Sequence, residues 1–411
     1  MDSLSIIKYA QEMNVLGLLK NAVQSGINTL SGRVGTFIAR PRKPAFPLAD
    51  RLLADAFRLG QIPSPTEREA ARTSFVAERL DALHLPYTVD EAGNILVELN
   101  SQKEDLTDIS SEPLLVFTPL VSKRWNSLES LGKLELLYAK GAGLADALGP
   151  AALLSLAEAY ADGRLCLERD LYLFFSALHF DDPFSDAFRL FTFDPRFRPA
   201  AAIGVRGFML GFLASHTMGS YRVELTVSEE EGQKNPNGLV SALIDKARLF
   251  QKAAESFGDD LRLYITRIGA QSSFNRTPQE GALELELESS NGEILEAALE
   301  RVKAVAETAA HEAVKGSFRV VSSVPPGDPA VSQELTALLL ELMKELRIKS
   351  GEEAKPDPAS FFSARGIASV SVGIALGREG LTRDTVEITS IEKGRQLLER
   401  LVMEAGGQHG R

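Results

Sequence analysis

The chain has 411 residues, 44% of them hydrophobic and 25% charged, with a formal net charge of -11. That length and composition fit a soluble globular protein with two sizeable cores. The negative balance argues against nonspecific binding to nucleic acid or anionic lipid, and a single cysteine, Cys166, excludes an intrachain disulfide and fits a reducing compartment.

No apolar run reaches the roughly 18–20 residues that a membrane span needs. Asp2, Lys8 and Glu12 interrupt the first segment, which therefore does not read as a signal peptide. A cytoplasmic location is expected. Residues 3–24 carry Leu4, Ile7, Leu16, Leu19 and Val23 at helical spacing, predicting an amphipathic helix that packs on its own domain or on a partner subunit. Pro41, Pro44 and Pro47 then mark a linker, so residues 1–47 are expected to form a helical extension and linker.

From Leu48 the pattern alternates. Thr66 and Glu69 make a capping-box pair for a helix over 66–83. Strands are expected at Tyr87–Val89 and Ile95–Leu99 around the turn Ala92-Gly93-Asn94, then at Leu114–Thr118, Leu171–Ser176 and Ala200–Val205, with a helix over Ala151–Ala161. Cys166, between Leu165 and Leu167, reads as a packed residue rather than a nucleophile. Apolar strands alternating with helices predict an α/β domain with a largely parallel sheet.

The pattern changes near residue 218. Tyr221–Val227 alternates as a strand, Gly238–Phe257 is helical, and Leu261–Ile268 and Ala282–Glu288 are strands. A long helix over Gly292–Lys315 and a strand over Phe318–Ser322 follow. The order β-α-β-β-α-β is that of a ferredoxin-like unit, whose alternating strands imply one sheet face free of its own helices. After Pro325-Pro326 the α/β pattern returns, with helices at Ser332–Leu346, Ala359–Ala364 and Ser390–Glu404 and a strand at Ala368–Gly373. The expected division is residues 48–217 with 324–411 as the larger domain and 218–323 as the insert.

Several segments occur in the order found in one family. They are Leu59-Gly60-Gln61-Ile62-Pro63-Ser64-Pro65-Thr66-Glu67, Asp90-Glu91-Ala92-Gly93-Asn94-Ile95, and the loop from Gly141 to Gly149 with Asp146 at its sixth position. Asn275-Arg276-Thr277-Pro278, Ala364-Arg365-Gly366-Ile367 and Val386-Glu387-Ile388-Thr389-Ser390-Ile391-Glu392-Lys393-Gly394 complete the set. Over roughly 48–404 the chain resembles the peptidase T, aminoacylase and succinyl-diaminopimelate desuccinylase family of co-catalytic zinc metallopeptidases, in a peptidase T-like form. The resemblance implies a three-layer α/β/α domain with an inserted ferredoxin-like domain that serves in dimerisation or as a lid. It also implies two zinc ions bridged by an aspartate, activating a water beside a glutamate base. Such a centre needs carboxylate and imidazole donors.

The resemblance also shows what is missing. The strand that should end in H-x-D ends Pro119-Leu120-Val121; the bridging aspartate is kept as Asp146. Where paired glutamates are expected stand His179 and Phe180, or, with a shift of one or two residues, Asp181 and Asp182. An aspartate ligand is replaced by Arg206, which cannot ligate zinc. The last histidine is replaced by Leu381, and an acidic position near the closing short helix falls on Pro358. The insert's substrate-binding arginine aligns with Glu288. The five histidines, His84, His179, His216, His311 and His409, match none of the ligand motifs.

Two readings follow. In the first the chain is a non-catalytic relative that binds no metal or other cofactor, retained for a peptide-like or small-molecule ligand, for a partner or for assembly. Asp146 then needs a partner, and Arg206 is a candidate. In the second the chain is an active peptidase or amidohydrolase, either zinc-dependent with a site rebuilt from Asp146, His179, Asp181 and Asp182 or working by a metal-free mechanism. A homodimer formed through the insert is expected in either case.

Overall fold

The structure, a computed structural model, describes residues 47–63, 70–101, 112–121, 133–135, 137–177, 191, 197–214, 218–229, 238–270, 278–308, 314–353, 355–380 and 382–407. The expected N-terminal helix, the capping pair Thr66 and Glu69, and His179, His216, His311, Leu381 and His409 lie outside these residues.

In chain order, helices α1 (Pro47–Gln61) and α2 (Ala70–Ala82) precede strands β1 (Tyr87–Val89), β2 (Ile95–Leu99), β3 (Leu114–Pro119), β4 (Lys133–Leu134) and β5 (Tyr138–Gly141). Helix α3 (Leu144–Ala161) and strands β6 (Leu171–Ser176), β7 (Ala201–Arg206) and β8 (Phe212–Ala214) follow. The insert runs β9 (Gly219–Glu229), α4 (Gly238–Glu255), β10 (Arg262–Ala270), β11 (Glu280–Ser289), α5 (Gly292–Glu307) and β12 (Val314–Val324). The chain closes with α6 (Gln333–Glu345), β13 (Gly351–Glu353), α7 (Ser360–Ser363), β14 (Ala368–Gly373), β15 (Gly377–Arg378), β16 (Asp384–Glu387) and α8 (Ile388–Gly407).

The main sheet has the order β1-β2-β6-β3-β7-β14. Strands β6, β3, β7 and β14 run parallel, and β1 and β2 add an antiparallel edge. Because β14 pairs with β7, the segment after the insert completes the sheet begun before it. Alternate side chains divide between two cores, as strand geometry requires. Leu114 and Val116 join the cluster that takes in α1, α2, α3, α6 and α8. Leu115 and Phe117 point to the opposite face and pack with Phe174, Phe191, Phe361 and Phe362, where the rings of Phe117 and Phe362 lie 5.4 Å apart. The result is the expected three-layer α/β/α arrangement.

The insert has the sheet order β10-β11-β9-β12, antiparallel throughout. Val223, Leu225, Leu283, Leu285 and Leu287 are buried beneath α4 and α5. The other face carries cross-strand pairs instead: Arg222 with Glu286 at 3.0 Å, Arg267 with Glu284 at 2.9 Å and Arg319 with Glu224 at 2.7 Å. Within one row the adjacent Glu284 and Glu224 are flanked by the two arginines Arg267 and Arg319, which offsets their repulsion.

Some sequence expectations differ from the structure. Helix α3 begins at Leu144 rather than Ala151, running through Pro150. Proline there has no N–H for the carbonyl of Asp146 four residues back, yet burial of the apolar face holds the helix together. Helix α5 stops at Glu307, not Lys315, and Val314–Val324 is strand. Thr308 Oγ1 donates to the Ala304 carbonyl at 2.8 Å, and Lys246 Nζ donates to the carbonyls of Val305, Ala306 and Thr308, so the last turn is capped from α4. Cys166 is exposed, not packed, because it alternates with buried Leu165 and Leu167. No helix among the described residues is long and apolar enough to cross a membrane.

Candidate functional site

In an open α/β sheet, ligands bind outside the carboxyl ends of the parallel strands. Here those ends are Ser176 of β6, Pro119 of β3, Arg206 of β7 and Gly373 of β14, with Pro119 opposite Ser176 and Arg206 opposite Gly373. The β3 end is sealed by apolar packing. Leu120 is 0% exposed and Val121 6%, and the Leu120 N–H donates to the Ser176 carbonyl at 2.7 Å. Thr118 Oγ1 donates to the Val205 carbonyl at 3.1 Å, tying β3 to β7. On the β6 side, Asn94 Oδ1 accepts from the Ala177 N–H at 2.8 Å, while its Nδ2 donates to Asp90 Oδ2 at 2.7 Å. The Asp90–Asn94 turn therefore braces the β6 end.

The loop from Gly141 to Gly149 delivers Asp146. Gly143 has φ 60°, a left-handed conformation suited to glycine, and its Cα would carry a Cβ 3.1 Å from the Gly60 carbonyl oxygen. The loop thus packs closely on the end of α1. Asp146 sits in the first turn of α3, partly buried. Next to it, the Ala145 N–H donates to Asp384 Oδ2 at 3.2 Å, and the Gly380 N–H donates to Asp384 Oδ1, also at 3.2 Å. Asp384, 1% exposed, therefore caps the α3 N-terminus from across the small sheet.

Arg72 enters from α2 and is fully buried. Its Nε donates to the Ile62 carbonyl at 3.2 Å and its Nη1 to the Leu120 carbonyl at 2.9 Å. Burial pushes the guanidinium down to about 10, against the opposing pull of Asp146; it remains a cation at neutral pH.

Arg206 leaves the end of β7 and meets Asp357, with Nη2 2.8 Å from Oδ2. Asp357 is fully buried, whereas the Arg206 side chain is 33% exposed. The other carboxylate oxygen, Oδ1, accepts from the Ala359 N–H at 2.8 Å and from Ser371 Oγ at 2.6 Å. Ser371 belongs to β14, so Asp357 joins the two last strands of the sheet to the turn that opens α7. Asp357 immediately precedes Pro358, where the resemblance implies an acidic residue.

The ion pair of Arg206 is with Asp357, and the charge of Asp146 favours the charged form of buried Arg72. Arg72, Asp357 and Asp384 were not visible as site residues in the sequence. One signal was present for Arg72: it shares a helical stripe with Val76 and Leu80, where a charged residue is out of place unless it is paired. Asp181 and Asp182 lie outside the described residues, as do His179 and Phe180.

A dinuclear zinc centre does not fit the donors found at the described positions. Pro119, Leu120 and Val121 offer no side-chain lone pair, Arg206 is a cation, and a second cation, Arg72, is buried at the end of β3 with Nη1 on the Leu120 carbonyl. Among the described residues no group of three or more His, Cys, Asp or Glu side chains is placed to hold a metal ion.

No protein-family model matches the sequence, and no curated protein matches it. Solved structures do match. An aminopeptidase PepT from Bacillus cereus ATCC 10987 is 12% identical, with 88% of this chain and 99% of that one covered and a TM-score of 0.61. A tripeptidase of Staphylococcus aureus subsp. aureus Mu50 is 15% identical over 88% of this chain and 99% of its own, with a TM-score of 0.63. The YXEP protein of Bacillus subtilis, described as a dinuclear metal-binding peptidase of the M20 family, is 15% identical over 88% and 99%, with a TM-score of 0.56. This chain carries the fold of the peptidase T-like M20 metallopeptidases.

Proposed function

We propose that this chain keeps the peptidase fold to bind a peptide-like or small-molecule ligand, or a partner, and does not perform metal-dependent hydrolysis. The ion pair between Arg206 and Asp357 at 2.8 Å carries the reading. The resemblance puts a zinc-ligating aspartate at the end of β7. A guanidinium there contributes positive charge, and it occupies the buried carboxylate that stands nearest to it. A dication brought to the same place would face repulsion and a reduced donor set.

The same reading assigns residues 48–217 and 324–411 to the cleft-bearing domain and 218–323 to the insert. We place the homodimer contact on the insert. Tyr264 and Ile268 on edge strand β10 are 46% and 48% exposed, and Val240 and Ile244 on α4 are each 41% exposed. Unpaired edge strands with apolar side chains favour pairing between chains. A cytoplasmic location agrees with the lone cysteine.

The test is hydrolysis of dipeptides, tripeptides and N-acylated amino acids by the purified full chain, with added zinc or manganese and with chelator. The expected result is no turnover above the protein-free control under any condition. Metal-dependent, chelator-sensitive cleavage would replace this reading with the rebuilt site of Asp146, His179, Asp181 and Asp182. Sedimentation of the same sample reads the dimer.

A further inference from the structure

We propose that the apolar outer face of the small sheet, formed by Leu137, Tyr138 and Leu376, is the docking site for residues 3–24 of the same chain, which meet it through Leu16, Leu19 and Val23. The inference does not depend on whether the cleft holds metal.

The face follows from strand register. Ala139 and Val386 pair across β5 and β16 and are fully buried, so their side chains point to the core. Tyr138 pairs with Glu387 in the next row, and the Glu387 N–H donates to the Leu376 carbonyl at 2.9 Å. This row therefore points outward. Tyr138 is 44% exposed and Leu376 45%. Leu137, 54% exposed, joins them, its carbonyl accepting from the Ile388 N–H at 3.0 Å at the start of α8. The following row of the same face holds Lys140, Thr385 and Arg378, which bounds the patch. Contiguous apolar patches mark interaction surfaces, whereas isolated apolar residues do not.

Two observations identify the occupant. The first is where the segment enters the fold. Helix α1 begins at Pro47 and packs on α8. Phe57 of α1 lies against β5, where a Cβ on Gly141 would come 2.7 Å from its ring. Two turns earlier, Asp50 lies close enough to Glu392, one turn into α8, for the two charges to repel; burial and then that charge push the Asp50 carboxyl up. The chain thus enters α1 beside the start of α8, at the edge of the patch. Residues 25–46 span up to roughly 70 Å when extended, so residues 3–24 reach the patch without strain. The second observation is size. Three half-exposed side chains fall well short of the about 800 Å² per partner that a stable protein pair buries. They match one stripe of a single helix, and Leu16, Leu19 and Val23 stand at i, i+3 and i+7 in the helix expected over residues 3–24.

Limited trypsin digestion of the full chain, followed by mass spectrometry, tests the docking. Lys20 lies inside the segment and Arg33 in the stretch that leads to α1. Wild type is expected to be cut after Lys20 at least about tenfold more slowly than after Arg33, because cleavage needs the undocked form. Leu137→Asp, Leu376→Asp and Leu16→Asp are each expected to speed the Lys20 cut about tenfold and to leave the Arg33 cut unchanged. The Leu16→Asp/Leu376→Asp double variant is expected to be no faster than the single variants, since both break one contact. Equal rates at Lys20 and Arg33 in wild type would overturn the proposal. So would the absence of any effect of Leu16→Asp, which alters the segment alone and decides the matter even if a patch variant does not fold. An effect of Leu16→Asp with none from either folded patch variant would overturn it too, as would protection that rises with protein concentration, which would make a second copy the occupant. Metal plays no part in this readout, so its failure leaves the reading of the cleft untouched.

Discussion

Arg206 and Asp357 meet at 2.8 Å with very different access to water: Asp357 is fully buried and Arg206 is one-third exposed. The two halves of the pair are therefore unequal. Removing the cation strands a buried carboxylate, whereas removing the anion leaves a guanidinium that can turn to solvent. Arg206→Met is expected to cost about 2–3 kcal/mol, reduced from the full buried-pair value by the exposure of Arg206. Asp357→Asn, which keeps an acceptor for Ser371 and Ala359, is expected to cost less. Urea unfolding of both variants gives the order, and a reversed order contradicts the account.

Lys246 caps the far end of α5. It is 4% exposed, and burial pushes its ammonium below the usual lysine range. Three carbonyls of the last turn of α5 and the residue beyond accept from it. Lys246→Met fills the same volume but leaves those carbonyls unsatisfied, so it is expected to destabilise the insert by about 1–3 kcal/mol. Hydrogen exchange is expected to show the loss first in α5 amides, with the main sheet less affected.

On α8, burial raises the pKa of Glu392, but its bonds to Arg395 outweigh that and hold the carboxyl below its ordinary 4.5. Arg395 Nη2 donates to Glu392 Oε1 at 2.7 Å and Nε to Oε2 at 3.0 Å. A depressed carboxyl stabilises the fold above its unfolded pKa, and that contribution disappears as pH falls through the folded value. Glu392→Gln is expected to be less stable than wild type at pH 7, with the gap closing by about pH 3. A gap of constant size in urea midpoints across that range contradicts the assignment.

Gly149 lies where α3 crosses the sheet. A Cβ there would come 2.4 Å from Thr118 Oγ1 and 3.1 Å from the Val205 carbonyl. Thr118 is buried and β-branched, so it cannot swing aside. Gly149→Ala is expected to cost about 1–3 kcal/mol by overpacking. Adding Thr118→Ala is expected to recover part of that loss, as read from the Tm of the single and double variants.

The fold was largely legible in the sequence because its strands declare themselves. The run Leu171–Ser176 and the alternation of Leu283, Leu285 and Leu287 with glutamates identify one strand buried on both faces and one on a half-open sheet. The small sheet of β4, β5, β15 and β16 was not visible, since strands of two to four residues are too short to show a period. The start of α3 was hidden by Gly149 and Pro150, which locally read as breakers while tertiary packing overrides them. At the site, Asp146 could be placed from its glycine-rich loop. The partner of Arg206 could not, because Asp357 lies 151 residues away in sequence and is brought in by the turn that opens α7. Sequence spacing carries no signal for contacts of that separation.

Metal stoichiometry tests the central claim most directly. The purified full chain is incubated with excess zinc, freed of unbound ion by gel filtration, and analysed for metal content. With the Arg206 and Arg72 guanidinium groups at the ends of β7 and β3, the account predicts well under one ion per chain. About two ions per chain, as a co-catalytic centre holds, would contradict it.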